Sequence, residues 1–137
     1  MTRQKVILVV DDSSEVRILL RKILELDGYS VREAEDGRQA LQLLADEPVD
    51  LVLLDAMMPK VNGWETLKAI KADDDTSQIP VILCTAKDID PSRSPGWSQA
   101  DGALHKPFRR AQVLEAVGEL LIPGPRAVSD EGPATES

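Results

Sequence analysis

With 137 residues, the chain is long enough for one domain with its own hydrophobic core, and such a core needs no disulfide to stabilise it. Its 24 acidic and 16 basic residues give a formal net charge of −8 at pH 7. This balance argues against a nucleic-acid partner, because phosphate binding requires clustered lysine and arginine.

The sequence also argues against membrane contact and secretion. No apolar stretch reaches the ~20 residues that a membrane span requires, and no signal peptide precedes the first strand-like segment. We therefore expect a cytoplasmic protein, and the start at Met1 favours a domain that stands alone or begins a longer protein.

Residues 1–122 are predicted to form the domain. Residues 123–137 contain three prolines and two glycines and are predicted to be a disordered tail.

The first half of the chain alternates strand-like and helix-like segments. Residues 6–10 predict a strand, residues 29–34 a second, weaker strand, and residues 38–45 a short helix after a turn at Asp36-Gly37. Ser13 or Ser14 suits the N-cap of the first helix, and Gly28 suits the position after its end. The apolar residues of this first helix recur at the spacing of one buried face: Val16, Leu19, Leu20, Ile23 and Leu24.

The second half continues this alternation, with one irregular stretch. The apolar run 51–54 predicts a buried strand, and Trp64, Leu67 and Ile70 predict a helix. Further strands are predicted over the apolar run 81–84 and over 103–105. A fifth helix carries Val113, Leu114, Val117, Leu120 and Leu121 on one face. The fourth helix must be short or irregular, because Pro91 and Pro95 cannot both lie inside one regular helix.

Five strand–helix repeats predict an α/β protein with a parallel sheet covered by helices on both faces. In such a sheet the carboxyl ends of all strands lie at one edge, where ligands bind. The polar residues that follow the strands are Asp11, Asp12, Asp55, Thr85 and Lys106. Clustered carboxylates repel one another, and Mg²⁺ relieves that repulsion. The predicted chemistry is phosphoryl transfer onto Asp55, assisted by metal and lysine.

Four motifs resemble those of the receiver domain of two-component response regulators. They are Asp11-Asp12, Asp55-Ala56-Met57-Met58-Pro59 with Gly63, Thr85-Ala86, and Lys106-Pro107-Phe108. The resemblance covers roughly residues 4 to 122. It implies a doubly wound, flavodoxin-like sheet of five parallel strands in the order 2-1-3-4-5, with five helices. This strand order comes from the resemblance and not from the sequence pattern.

The resemblance also implies a role for each site residue. Asp55 is the expected phosphoacceptor, and Asp12, Asp55 and the backbone carbonyl of Met57 are expected to ligate Mg²⁺. Asp11 is expected to act mostly through a water molecule. Lys106 is expected to pair with the phosphoryl oxygens, and Thr85 to move inward and hydrogen-bond them. The Lys106-Pro107 bond is expected to be cis.

The chain departs from the family pattern at Ala103, where receivers usually carry a tyrosine or phenylalanine that rotates when the threonine engages phosphate. Thr85 therefore lacks the aromatic partner of the usual switch. The fourth helix, which the prolines interrupt, lies on the same face of the domain as Ala103.

His105 is expected to point away from Lys106, because alternate residues of a strand face opposite ways.

The resemblance implies a signalling module rather than an enzyme. It would take a phosphoryl group from a histidine kinase or a histidine phosphotransfer protein, catalysing only its own phosphorylation and slow dephosphorylation, and a protein partner would read the conformational change. One alternative is an interaction module of this fold that works without phosphorylation. The other is a phosphatase with an aspartyl-phosphate intermediate, but such enzymes place an Asp-x-Asp nucleophile motif after the first strand, where this chain has Asp11-Asp12-Ser13.

Overall fold

The computed structural model describes residues 4–56, 63–85 and 100–121, which contain five strands and four helices. The strands are β1 (Val6–Val10), β2 (Ser30–Ala34), β3 (Leu51–Asp55), β4 (Val81–Thr85) and β5 (Gly102–His105). The helices are α1 (Ser14–Leu26), α2 (Gly37–Asp46), α3 (Gly63–Ala72) and α4 (Arg110–Leu121). The helix α4 is the one that the sequence predicts as the fifth.

All strand pairs are parallel, and the sheet order is β2-β1-β3-β4-β5. The doubly wound, flavodoxin-like fold is therefore confirmed. In the register of the central pair, Val10 of β1 lies beside Leu54 of β3. The residues that follow, Asp11 and Asp55, consequently come together at the carboxyl edge of the sheet.

Helices cover both faces of the sheet, as predicted. On one face, α1 and α4 pack through Leu20, Ile23, Leu24, Val113 and Val117. On the other face, α2 and α3 pack through Ala40, Leu44, Leu67 and Ile70. Strands β3 and β4 are buried along their whole length, because both faces carry helices and both edges carry neighbouring strands.

The ends of α1 are fixed by local hydrogen bonds that the sequence predicts. Ser13 is the N-cap, and its hydroxyl oxygen accepts the Val16 amide at 3.3 Å. Gly28 follows the helix with a φ of 94°, a left-handed conformation that suits glycine. The amide of Tyr29 then donates to the Leu24 carbonyl at 3.1 Å.

Two local predictions are wrong. Leu19 is not part of the buried face of α1; its side chain is 43% exposed, because the buried face centres on Leu20, Ile23 and Leu24. Asp36-Gly37 does not form a free turn. Asp36 is the N-cap of α2, with its carboxylate accepting the Gln39 amide at 2.8 Å, and Gly37 is the first helical residue.

Other predictions fall outside the described residues. They concern the irregular helix with Pro91 and Pro95, the backbone carbonyl of Met57, and the tail over 123–137. The domain boundary at 122 therefore stays a prediction. Among the described helices, none combines the length and the apolar character that crossing a bilayer requires.

Gly63, the first residue of α3, packs directly against the end of β3. Its amide donates to the Ala56 carbonyl at 3.3 Å. A Cβ atom at this position would lie 2.6 Å from Ala56 Cα and would also collide with the Asp55 carbonyl oxygen. The absence of a side chain therefore lets α3 begin against the strand that carries Asp55.

We expect Gly63→Ala to lower the free energy of unfolding by about 2 kcal/mol, because the junction between β3 and α3 must shift. Gly118→Ala is the matched control. Gly118 lies in α4 with nothing within 4 Å of an added Cβ, so alanine should raise stability by about 0.5–1 kcal/mol. Urea denaturation measures both changes, and a stability gain in both variants would contradict the close packing at Gly63.

Candidate functional site

The turn between β1 and α1 places two carboxylates at the carboxyl edge of the sheet. Asp11 is 2% exposed, and its Oδ1 accepts the Ser13 amide at 2.9 Å. Asp12 is exposed. The turn thus holds one carboxylate inside the protein and presents the next one to solvent.

Asp55 ends β3 beside this turn and is itself buried, at 3% exposure. One carboxylate oxygen from each of Asp11, Asp12 and Asp55 lies within 4.8 Å of the others. The structure therefore brings together the three carboxylates that the sequence predicts, although they lie on two separate strand ends.

Lys106 joins this cluster from the end of β5. Its Nζ donates to Asp11 Oδ2 at 3.2 Å and lies 3.4 Å from Asp55 Oδ2. The Lys106 amide donates to the Thr85 carbonyl at 2.8 Å, which ties the two strand ends together. The Lys106-Pro107 peptide bond is cis, as expected from the resemblance.

Thr85 ends β4 next to this site and is fully buried. Its Oγ1 has no hydrogen-bond partner within the described residues. An unpaired buried hydroxyl is costly, and it can donate to a ligand that enters the site. The inward movement implied for Thr85 stays a prediction.

Burial and repulsion oppose the ionisation of Asp11. Burial raises the pKa of Asp11, and repulsion from Asp55 adds to the rise, although the Ser13 hydrogen bond and the Lys106 charge act in the opposite sense. Burial alone would lower the pKa of Lys106, but attraction to Asp55 and Asp11 outweighs it and raises that pKa. Lys106 therefore stays charged at neutral pH and offsets part of the repulsion.

The donor set fits a hard divalent cation. Three carboxylates face one ammonium group, so the cluster keeps a net negative charge, and its oxygen atoms are the ligands that Mg²⁺ prefers. The exposed position of Asp12 leaves one side open to water and to a ligand. Met57 lies outside the described residues, so its expected carbonyl ligand is untested.

Ala103 and His105 lie on a different surface. Both are exposed on the edge strand β5, and they line a depression of about 290 Å³ against α4. The α4 residues that line it are Gln112, Glu115, Ala116 and Glu119. His105 faces this depression, as its alternation with Lys106 predicts. Ala103 contributes only a methyl group to the lining of this depression.

Sequence reasoning missed one residue that contacts the site, Arg17. Its Nη1 donates to the Asp11 carbonyl at 2.6 Å, and its side chain is only 14% exposed. The spacing of Arg17 and Arg21, four residues apart on α1, does place both arginines on the same side of the helix, beside its apolar residues. Without the strand pairing, however, nothing in the sequence connects these arginines to Glu33.

Comparison with known proteins gives a consistent match. The family model described as the response regulator receiver domain matches residues 7–118. The transcriptional regulatory protein CpxR of Escherichia coli K12 is 45% identical over 116 residues, which are 84% of this chain and 48% of CpxR. The chain thus spans about half the length of the curated relatives that it matches.

Solved structures show the same fold. The chemotaxis protein CheY4 of Vibrio cholerae superposes with a TM-score of 0.81 at 29% identity, covering 87% of this chain and 100% of CheY4. The response regulator TrrA of Thermotoga maritima, solved in complex with Mg²⁺ and beryllofluoride, superposes with a TM-score of 0.77 at 36% identity. That match covers 86% of this chain and 100% of TrrA.

If the carboxylate cluster binds Mg²⁺, added Mg²⁺ at constant ionic strength should raise the melting temperature. At a free concentration about 100 times Kd the gain is ~2.7 kcal/mol, because the ion binds only the folded state. Asp12→Asn should lose most of this gain. Asp74→Asn, the same change at an exposed position in the loop after α3, should keep it. An equal gain in both variants would indicate general charge screening instead of a site.

Proposed function

The chain belongs to the family of response regulator receiver domains, and on this premise we propose that it accepts a phosphoryl group on Asp55 in a two-component or phosphorelay pathway. The observation that supports this most directly is the surroundings of Asp55. Its buried carboxylate lies 3.4 Å from an ammonium group and within 4.8 Å of two further carboxylates. The neighbouring strand ends in a buried hydroxyl that has no hydrogen-bond partner among the described residues.

The transfer follows from the chemistry of these groups. A carboxylate oxygen of Asp55 attacks the phosphorus atom of a phosphohistidine on a histidine kinase or a histidine phosphotransfer protein. The P–N bond breaks, its electron pair stays on the imidazole nitrogen, and an acyl phosphate forms on Asp55. The protein catalyses only this step and the slow hydrolysis of the product.

The remaining site residues neutralise and orient the phosphoryl group. Asp12 and Asp55 would hold Mg²⁺, with Asp11 acting through a water molecule; the bound ion supplies positive charge opposite the phosphoryl oxygens. Lys106 transfers its contacts from Asp11 and Asp55 to the phosphoryl oxygens. The Thr85 hydroxyl, which lacks a partner within the described residues, donates to the same group.

The phosphodonor is a protein that must reach the open edge of the sheet. Helix α1 begins two residues after Asp12, and its outer surface exposes Ile18 and Leu19, at 50% and 43%. Exposed apolar side chains on this helix favour a protein donor that packs against α1.

The output is a change of shape that a partner protein reads. The net charge of −8 favours protein over nucleic acid as that partner. Because Ala103 replaces the usual aromatic residue, the signal from Thr85 has to travel without rotation of a ring at this position. The depression beside Ala103 lies where this chain departs from the family pattern.

Intact mass spectrometry after incubation with a small acyl phosphate and Mg²⁺ tests the proposal. We expect one phosphoryl group on the parent protein and on Asp74→Asn, and none on Asp55→Asn or after chelation of the metal. Hydroxylamine should remove the adduct, because it cleaves acyl phosphates and leaves serine and threonine phosphates intact.

A parent protein that carries no phosphoryl group at any time from seconds to hours would contradict the proposal and favour an interaction module that works without phosphorylation. Continuous release of phosphate from generic phosphate esters would instead favour a phosphatase.

A further inference from the structure

Arg17 contacts the main chain of the acidic turn rather than its carboxylates. Its Nη1 donates to the Asp11 carbonyl oxygen at 2.6 Å. This carbonyl belongs to the peptide group that joins Asp11 to Asp12. The orientation of that peptide group sets the direction in which the two carboxylates leave the backbone.

Three further contacts constrain the same turn. The Asp11 amide donates to the Ala34 carbonyl of β2 at 3.1 Å, and the Ser13 amide donates to Asp11 Oδ1 at 2.9 Å. Ser13 in turn caps α1. Arg17 supplies a donor for the Asp11 carbonyl, so the turn is held at its main chain as well as at its side chains.

Glu33 of β2 holds the guanidinium group of Arg17 in place. Its Oε1 accepts from Arg17 Nε at 3.0 Å, and its Oε2 lies 3.2 Å from Arg21 Nη1. The side chains of Arg17 and Glu33 are 14% and 26% exposed, so solvent screens this pair only in part. Arg21 also donates to the Val31 carbonyl at 3.0 Å.

We propose that Arg17, held by Glu33, is a positioning residue that sets the Asp11-Asp12 turn for Mg²⁺ binding. This inference rests on the proposed function, because it assigns a residue to the same metal site. Arg17 does not touch the carboxylate oxygens that bind the ion. Its effect is exerted through the backbone, in the way that outer contacts orient metal ligands in other sites.

Removal of Arg17 should change the affinity for Mg²⁺ in opposite directions, depending on whether Arg17 acts through its charge or by positioning the turn. A cation beside three carboxylates competes with Mg²⁺. If only this charge mattered, removal of Arg17 would therefore strengthen Mg²⁺ binding. The charge of Glu33 balances that of Arg17, which reduces this competition. If Arg17 acts by position, its loss must weaken Mg²⁺ binding, because the turn is no longer held in the orientation that points both carboxylates at the ion.

The test is a calorimetric titration with Mg²⁺ at constant ionic strength, well below the melting temperature. We expect Arg17→Met to raise Kd on the order of ten-fold. Arg21→Met is the matched control, since it removes an arginine from the same helix and the same glutamate but leaves the contact with Asp11 in place. Its Kd should stay close to that of the parent.

A second measurement needs no metal. The Ser13 amide, bonded to Asp11 Oδ1, should exchange with solvent faster in Arg17→Met than in the parent or in Arg21→Met. Unchanged or tighter Mg²⁺ binding in a folded Arg17→Met protein, or unchanged Ser13 exchange, would overturn the assignment while leaving the metal site itself intact. A parent protein that does not bind Mg²⁺ would overturn the proposed function and this inference together.

Discussion

The chemistry proposed for this protein depends on three carboxylates that repel one another at one edge of the sheet. The parallel register of β1 and β3 makes Asp11 and Asp55 neighbours, and the chain adds Asp12 beside them. Burial makes the negative charge of Asp11 more costly, and a single ammonium group offsets only part of the repulsion. The fold thus maintains a local cost that a bound cation can relieve, which is why chemistry is expected at this edge.

Much of this arrangement can be predicted from the sequence, because apolar runs mark the strands and polar residues follow them directly. Asp11, Asp55 and Lys106 meet as predicted, although 95 residues separate Asp11 from Lys106. Five alternating segments predict a parallel sheet, but several strand orders satisfy that pattern. The order with β1 beside β3 came from the family resemblance, and the structure confirms it.

Other features could not be predicted, because they depend on contacts between elements. Leu19 fits the helical spacing, yet it lies at the margin of the buried face of α1 and is exposed. The spacing of apolar residues does not show which of them lie at the centre of that face. The dipeptide Asp36-Gly37 has the composition of a turn, but its position ahead of an amphipathic segment makes Asp36 a helix cap. Arg17 reaches the site only because β2 places Glu33 opposite α1.

The most direct test of phosphoryl transfer onto Asp55 is a crystal structure of this protein with Mg²⁺ and beryllofluoride, a mimic of the phosphoryl group. We expect beryllium bonded to an Asp55 carboxylate oxygen, the metal ion between Asp12 and Asp55, and fluorides in contact with Lys106 Nζ and Thr85 Oγ1. Beryllofluoride that is absent from Asp55 at saturating concentration, or a metal ion bound away from these carboxylates, would contradict this expectation.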